Sequence, residues 1–413
     1  MLKARNLSYS QRAHARLGAF YPCRISGKPE LASVWYCFQT MIKQIHVCGY
    51  RSVRDLDLEL KPINVLTGPN GCGKSNLYNS LVLMARGAKG QLARAIAEEG
   101  GTPSVFWAGG ERVRYQRKKP PKRVVLGFEA QKFAYELQIG LPSLNEHALE
   151  TMFKLDPRVK EEHIWYIWPS DAKRRVAMLK RDGPSAWLRN AEGNMVTYPF
   201  QISKHESVLS QIIDPHLYPE ISAIRQQIVS WRFYHHFRTD LESPVRQPQI
   251  GVFTPVLSHD GSDLAAALQT ILEIGDGAAL RQTVAEAFGG AALLIEAMDA
   301  LFSIKMKIPG LLRPLQSQEF SDGQVRFLCL CAALLSPRPP SLLAVNEPET
   351  SLHPDILDAL AHLIVRAAKN TQLWITTHSQ PLADQIEKHS GVPRVRLSMS
   401  DGETQVEGAR KGV

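Results

Sequence analysis

Two kinds of apolar periodicity alternate along the chain. From Met41, the run MIKQIHVCGYRSVRDLDLEL alternates apolar and polar positions and predicts strands over Ile42 to Val47 and Leu56 to Leu60. Ile63 to Leu66 is continuously apolar, the pattern of a short buried strand, and it runs into a glycine-rich turn. Beyond the turn, Leu77, Leu81 and Met84 recur at i, i+4, i+7 and share one face of a helix. Val124 to Phe128 and Phe133 to Ile139 alternate about a polar centre and predict an antiparallel hairpin. From about Pro142 to Gly310 the pattern reads as mainly helical with long loops, including an Ala/Leu-rich stretch from Leu264 to Ala300, without sustained heptads or repeats. The last hundred residues return to alternation of element types: a helix over Gln324 to Leu335, a strand over Ser341 to Val345, a helix opened by Pro354 and a strand over Gln372 to Thr376. That order implies a largely parallel sheet whose strand ends carry the active loops.

At 413 residues and 44% hydrophobic content, the chain can bury one large core with an embedded subdomain. The longest apolar run, Phe327 to Leu335, is far short of the roughly 20 residues that cross a bilayer, so no membrane span is expected. Six cysteines (Cys23, Cys37, Cys48, Cys72, Cys329, Cys331) form no CxxC pair and no metal-like spacing with histidine, which fits a reducing cytoplasm. The formal charge of +9 points to an anionic partner, but residues 1–40 hold six Lys/Arg against the single Glu30 and carry +5 of it. That segment lacks periodicity and reads as a disordered extension or mis-assigned start rather than an Arg-rich transit peptide.

The glycine-rich turn Gly68-Pro69-Asn70-Gly71-Cys72-Gly73-Lys74-Ser75 fits the phosphate-loop pattern GxxxxGK[ST], and it lies between a predicted strand and a predicted helix, as that pattern requires. Backbone N–H groups freed by the glycines can wrap phosphates, and the helix N-terminus adds positive potential. Lys74 is placed to reach the β- and γ-phosphates, and Ser75 to hold Mg²⁺. A phosphate loop alone does not separate kinases, GTPases and motor ATPases.

The C-terminal motifs narrow the choice. Phe320-Ser321-Asp322-Gly323-Gln324 opens a helix; the strand after it ends in Asn346-Glu347-Pro348-Glu349; then come Ser351-Leu352-His353-Pro354 and, after another strand, Thr376-Thr377-His378-Ser379. In this order they resemble ABC-type ATPases, most closely the structural-maintenance-of-chromosomes and RecF branch and the related bacterial AAA-family ATPases. The resemblance implies an α/β P-loop NTPase: an ABC-type ATPase head with an antiparallel β subdomain and a large, mainly helical insertion. It divides the chain into an extension (1–40), an N-terminal lobe with the phosphate loop (41–140), the insertion (141–310) and a C-terminal lobe (311–413).

The same resemblance implies roles for individual residues. Ser321, Gly323 and Gln324 match the signature that caps ATP held by the opposite protomer, so ATP would join a homodimer; Asn76, next to the phosphate loop, belongs with the nucleotide-binding residues. Glu347 matches the general base and His378 the switch histidine, with Lys74 beside them. Asn346 stands where the family usually has the aspartate of the Mg²⁺ shell, an oxygen donor without charge, and Asp322 replaces the commoner glycine and brings a negative charge near an anionic ligand. Gln91 and Gln116 are candidates for the glutamine loop, and Arg51 and Ser52 resemble residues at the nucleotide's edge.

Transporter subunits share these motifs but usually carry a compact insertion, whereas 273 residues separate Lys74 from Glu347 here. Relatives of the overcoming-lysogenization-defect type carry a nuclease after the ATPase; only 35 residues follow His378, so a nuclease or effector is expected as a separate chain, with roles in DNA maintenance, repair or anti-phage defence. Duplex DNA is a candidate partner for the basic run Arg112, Arg114, Arg117, Lys118, Lys119, Lys122, Arg123 and for Lys173, Arg174, Arg175, although Pro120-Pro121 equally marks a solvated loop. Trp231 to Phe237, with its two adjacent histidines, reads as a core helix with polar edges, and no metal other than nucleotide-bound Mg²⁺ is assigned.

Overall fold

The strands at Ile42, Ile63, Val124 and Phe133 begin where the apolar pattern predicts them, and the one expected from Leu56 begins three residues earlier, at Val53. β1 (Ile42–Tyr50) and β2 (Val53–Glu59) form an antiparallel pair, and β3 (Ile63–Thr67) leads into the phosphate loop. β4 (Val124–Ala130) and β5 (Phe133–Gly140) make the expected hairpin, and β4 adds to the free edge of β1. This computed structural model describes residues 41–110, 121–142, 152–153, 155–168, 171–190 and 192–408. The antiparallel sheet then continues through β6 (Arg158–Trp168), β7 (Asp171–Asp182), β8 (Ser185–Arg189) and β9 (Met195–Thr197), in the order β2-β1-β4-β5-β6-β7-β8-β9.

Downstream lie β10 (Arg232–Tyr234) and a small sheet made of β11 (Gln249–Ile250), β12 (Ala292–Met298), β13 (Leu301–Lys307) and β14 (Leu315–Gln316). The parallel sheet comes from three separated parts of the chain: β10, β15 (Leu342–Asn346), β16 (Gln372–Thr376), β3 and β17 (Val395–Ser400) run parallel in that order, and β18 (Glu403–Val406) closes the edge antiparallel. Every residue of β3 and β16 is buried, as expected for a parallel sheet covered on both faces. Its side chains alternate between two cores. Leu66, Leu342, Ala344 and Trp374 pack with the phosphate-loop helix (Lys74–Ala88) and the antiparallel sheet. Val65, Leu343, Val345, Leu373 and Ile375 pack on the other face with the signature helix (Asp322–Leu334) and the helices after it. The predicted stripe Leu77, Leu81 and Met84 is almost fully buried in the first core. Gln372 ties the two sheets together: its amide accepts from the Ile42 N–H (2.9 Å) and donates to the Ile42 carbonyl (2.8 Å).

The insertion departs from the expectation of a mainly helical segment. Helices Pro219–Ser230, Leu264–Ile274 and Gly277–Ala287 are present, but β6 to β9 enlarge the antiparallel sheet and β12 and β13 form a hairpin. Bulges hid the first group, because the register shifts at Ile164/Trp165 and Ile167/Trp168 break the period of two. Helix-forming residues hid β12: ALLIEAM is composed of good helix formers, yet the turns at Gly289-Gly290 (φ 58° and 84°) and Asp299 (φ 53°) fold it into a strand pair. The segment Trp231 to Phe237 is likewise not a helix. Trp231 ends helix Pro219–Ser230, and Arg232–Tyr234 pairs with Leu343–Val345 as an edge strand. The helix anticipated from Pro354 starts as one 3₁₀ turn, Pro354–Ile356, and continues as Leu357–Ala367. Among the described residues no helix is long and apolar enough to cross a membrane.

A buried polar cluster anchors the far part of the antiparallel sheet. The Glu162 carboxylate accepts from Tyr135 Oη (2.8 Å), Ser207 Oγ (2.5 Å), the Val208 N–H (2.7 Å) and Arg181 (3.3 Å). The rest of the Arg181 guanidinium donates to the carbonyls of Gly183, Glu206 and Ser203. Both charged side chains are fully buried. The cluster fixes the start of the short helix Val208–Gln211, which packs against the phosphate-loop helix. Removing one charge strands the other in the interior. Glu162→Ala is expected to lower unfolding stability by roughly 3–5 kcal/mol, read by urea denaturation; a change within about 0.5 kcal/mol would show that Arg181 finds other partners.

Candidate active site

The phosphate loop is held by close packing that only glycine permits. A Cβ on Gly68 (φ 151°) would lie 2.3 Å from the Leu397 carbonyl oxygen, and one on Gly73 (φ 101°) would lie 2.0 Å from Thr404 Oγ1. β17 and β18, distant in sequence, therefore form the wall on which the loop rests. Gly73 is the N-cap of the phosphate-loop helix, and no side chain caps that end and no acidic residue sits in its first turn. Its N–H groups are left to an anion. Lys74 arches back over the loop, donating to the carbonyls of Gly68 (2.7 Å) and Pro69 (3.0 Å). Asn70, Gly71, Gly73, Lys74, Ser75 and Asn76 line a cavity of about 250 Å³, with His378 on its rim. Asn76 donates to Ser52 Oγ (2.7 Å), which contacts Thr404 Oγ1 (2.7 Å), so the loop, the first hairpin and β18 are linked. An uncapped helix end, an ammonium and the exposed hydroxyl of Ser75 form a donor set that fits a triphosphate with its Mg²⁺.

Parallel register brings the other motifs to the same sheet edge. Asn346 lies opposite Thr376, and Thr376 opposite Leu66, one residue before the end of β3. Asn346 Oδ1 accepts from Thr376 Oγ1 at 2.5 Å. Glu347 follows in a left-handed conformation (φ 47°), costly for a residue with a side chain by about 1–3 kcal/mol. Three hydrogen bonds hold it there: its N–H donates to the Thr376 carbonyl (2.8 Å), and its carbonyl accepts from Arg326 (2.7 Å) and from the Thr350 N–H (3.2 Å). Burial pulls the Arg326 pKa down, and the carboxylates of Glu349 and Glu347 oppose that. The half-exposed Glu347 carboxylate lies 3.3 Å from His378 Nε2.

Glu349 is the supporting residue that motif reading passed over. Its Oε1 accepts from Thr377 Oγ1 (2.7 Å), the His378 N–H (2.9 Å) and the Ser379 N–H (3.1 Å), fixing the histidine loop to the end of β15. The only sequence signal was a second carboxylate two positions after Glu347.

Ser321 caps the signature helix in a reciprocal capping box with Gln324 (3.2 and 2.9 Å). A Cβ on Gly323 would lie 2.6 Å from the Ser351 carbonyl oxygen, so the signature turn and the Ser351 loop are in contact. The concern over Asp322 is answered by a partner outside every motif. Arg246, buried under the signature turn, pairs with Asp322 (2.8 Å) and donates to the carbonyls of Phe320 (2.5 Å), Ser317 (3.3 Å) and Thr239 (2.8 Å). The Asp322 charge is thus compensated within the chain.

The structure groups the phosphate loop with His378, and Glu347 with His378, but Ser321, Gly323 and Gln324 do not line the phosphate-loop cavity of their own chain. Gln91 precedes helix Leu92–Glu98, exposed and away from that cavity; Gln116 lies outside the described residues. Arg51 pairs with Glu99 (2.9 Å). Of the basic run, Arg112, Arg114, Arg117, Lys118 and Lys119 lie outside the described residues, and Arg123 is paired with Glu161 (2.5 Å). In the second cluster Arg175 pairs with Glu129 (2.6 Å) and Arg174 stacks over Trp168.

The parallel sheet, the glycine-bound loop at the end of β3 and the motif-bearing ends of β15 and β16 define an α/β P-loop NTPase. The chain belongs to the family described as "AAA domain, putative AbiEii toxin, Type IV TA system", which matches residues 63–384. The chain is similar to solved SMC head domains. One is the SMC head domain from Thermotoga maritima (13% identity, 90% of this chain and 100% of that one, TM-score 0.44). Another is the Smc head with an extended coiled coil bound to the C-terminal domain of ScpA, derived from Pyrococcus furiosus (14% identity, 89% and 95%, TM-score 0.46). No curated protein matches the chain.

The contact between Gly73 and Thr404 makes a specific expectation. Gly73→Ala should weaken ATP binding by about tenfold or more, because the loop must shift off β18 and the alanine must hold a left-handed φ. Titration of the variant with Mg²⁺-ATP checks this, and wild-type affinity would contradict the packing account.

Proposed function

We propose that this chain is an ATP-hydrolysing, ABC-type ATPase that closes as a homodimer around ATP. The carrying observation is the grouping of groups at one sheet edge: the phosphate-loop cavity with His378 on its rim, and Glu347 3.3 Å from that histidine. Gly68, Pro69, Asn70, Gly71, Cys72, Gly73, Lys74, Ser75 and Asn76 would take the nucleotide, with loop N–H groups and the Lys74 ammonium on the phosphates. Ser75 and Asn346 would hold Mg²⁺, directly and through water, and the ion would neutralise charge developing on the β- and γ-phosphates. Glu347 is the general base: its carboxylate orients the attacking water and receives its proton. His378, 3.3 Å from the Glu347 carboxylate and lining the phosphate-loop cavity, would contact the γ-phosphate. Ser321, Gly323 and Gln324 would cap the nucleotide of the partner copy, consistent with their position outside their own chain's cavity.

The setting we infer is cytoplasmic, in DNA maintenance or repair or in anti-phage defence, with duplex DNA and a separate nuclease or effector chain as partners. A second reading, an ATP-gated scaffold with little turnover, is favoured by one observation. Asn346 is neutral and its Oδ1 is already engaged by Thr376 Oγ1 at 2.5 Å, which leaves the metal shell short of a carboxylate.

ATP hydrolysis by the full chain with Mg²⁺, with and without duplex DNA, tests both readings. Turnover that rises with DNA and falls by about 10²-fold or more in Glu347→Gln supports the DNA-linked ATPase. A wild-type rate no higher than that of Glu347→Gln, together with a large gain in Asn346→Asp, would replace it with the scaffold. ATP bound but unhydrolysed by all three proteins would overturn the assignment of Glu347.

A further inference from the structure

Two helices that carry no catalytic motif themselves meet at a cluster of metal-ligating side chains. Leu357–Ala367 follows the Ser351 to Pro354 loop, and Gln380–Ser390 follows the histidine loop; the two pack against each other. Asp358 and His362 lie one turn apart on the first helix and so share a face. His389 comes from the last turn of the second. His389 Nε2 is 3.0 Å from Asp358 Oδ1, and His362 Nε2 is 3.6 Å from Asp358 Oδ2. One ligand atom from each of the three residues lies within 4.8 Å of the other two, and the imidazole centroids are 3.9 Å apart.

We propose that Asp358, His362 and His389 form a binding site for a first-row transition-metal ion of the Zn²⁺ type, distinct from the Mg²⁺ that accompanies ATP. Bonds of about 2.0–2.1 Å in tetrahedral geometry place ligand atoms about 3.3 Å apart. The two contacts, 3.0 Å to Asp358 Oδ1 and 3.6 Å to Asp358 Oδ2, lie close to that value, so a rotation of the carboxylate with small imidazole movements brings one atom of each residue to one ion. The donor set also selects the metal, since two imidazoles and one carboxylate suit Zn²⁺, Cu²⁺, Ni²⁺ or Fe²⁺ rather than the all-oxygen shells of Mg²⁺ and Ca²⁺. A plain hydrogen bond accounts for the Asp358–His389 pair but not for His362, whose Nε2 faces the same carboxylate beyond hydrogen-bonding range. His389 is mostly covered while Asp358 and His362 are more than half exposed, so water can complete the shell from the open side. A bound ion would cross-link the helix behind the Ser351 loop to the helix behind His378.

The test is a metal titration of the full chain after removal of metal with EDTA, using Zn²⁺ against a chromophoric chelator and Co²⁺ by visible absorption. The wild type is expected to bind one ion per chain, with a rise in melting temperature on adding Zn²⁺. His362→Gln and His389→Gln should each weaken binding by roughly tenfold or more, and the double variant should lose both the bound ion and the thermal shift. Equal binding by wild type and double variant, or no binding by the wild type at micromolar Zn²⁺, would overturn the site. Melting in EDTA controls for folding: should either glutamine variant melt well below wild type there, Asp358→Asn is read by the same titration and the same criteria. ATP binding by the variants is expected to be unchanged, which separates this site from the phosphate loop.

Discussion

Parallel pairing of β3, β15 and β16 is the constraint on which the rest of the molecule depends. Strands that run the same way end at the same edge, and loops leaving that edge are forced into one another's company. Because Leu66, Thr376 and Asn346 are in register, the phosphate loop, Glu347 and His378 become neighbours although 304 residues separate Lys74 from His378. The pairing has a chemical requirement: both faces must be covered. Two separate cores meet it, one on the phosphate-loop side and one on the signature side. Gln372 extends the same logic by bonding the buried sheet to the first strand of the antiparallel one.

Around that edge, charge is placed by residues that belong to no motif. Glu349 holds the histidine loop through three hydrogen bonds, Arg326 holds the strained Glu347 backbone, and Arg246 both supports the signature turn and neutralises Asp322. Each is a buried or half-buried charge whose partners are mostly backbone groups, a combination that fixes position without competing for a ligand. The left-handed Glu347 is stable in that setting because its N–H and its carbonyl are both bonded. The signature helix, capped by Ser321 and touching the Ser351 loop at Gly323, does not line its own chain's phosphate cavity. That separation supports the proposed two-chain arrangement.

Much of this was legible in the sequence where local chemistry decides. The strand-turn-helix at Gly68 to Ser75, the stripe Leu77, Leu81 and Met84, the hairpin of β4 and β5 and the β16 boundaries all follow from local pattern. Legibility failed where tertiary context overrode it. Bulges in β6 and β7 scrambled the period of two, and helix-forming residues in β12 were turned into a strand by pairing with β13. The aromatic run at Trp231 was claimed by the open edge of β15. The supporting residues of the site were invisible for a different reason. Arg246 lies 76 positions from Asp322, and Thr404 lies 331 positions from Gly73, so neither spacing carries a local signal.

The central claim is that ATP on the phosphate loop of one chain is capped by the signature helix of another. Sedimentation velocity of Glu347→Gln with Mg²⁺-ATP, compared with the same protein carrying Ser321→Arg, addresses it directly. The account predicts a two-chain species that needs ATP and is lost in the Ser321→Arg protein even though that protein still binds ATP. A single-chain species with ATP bound, or a dimer indifferent to both ATP and Ser321, would contradict it.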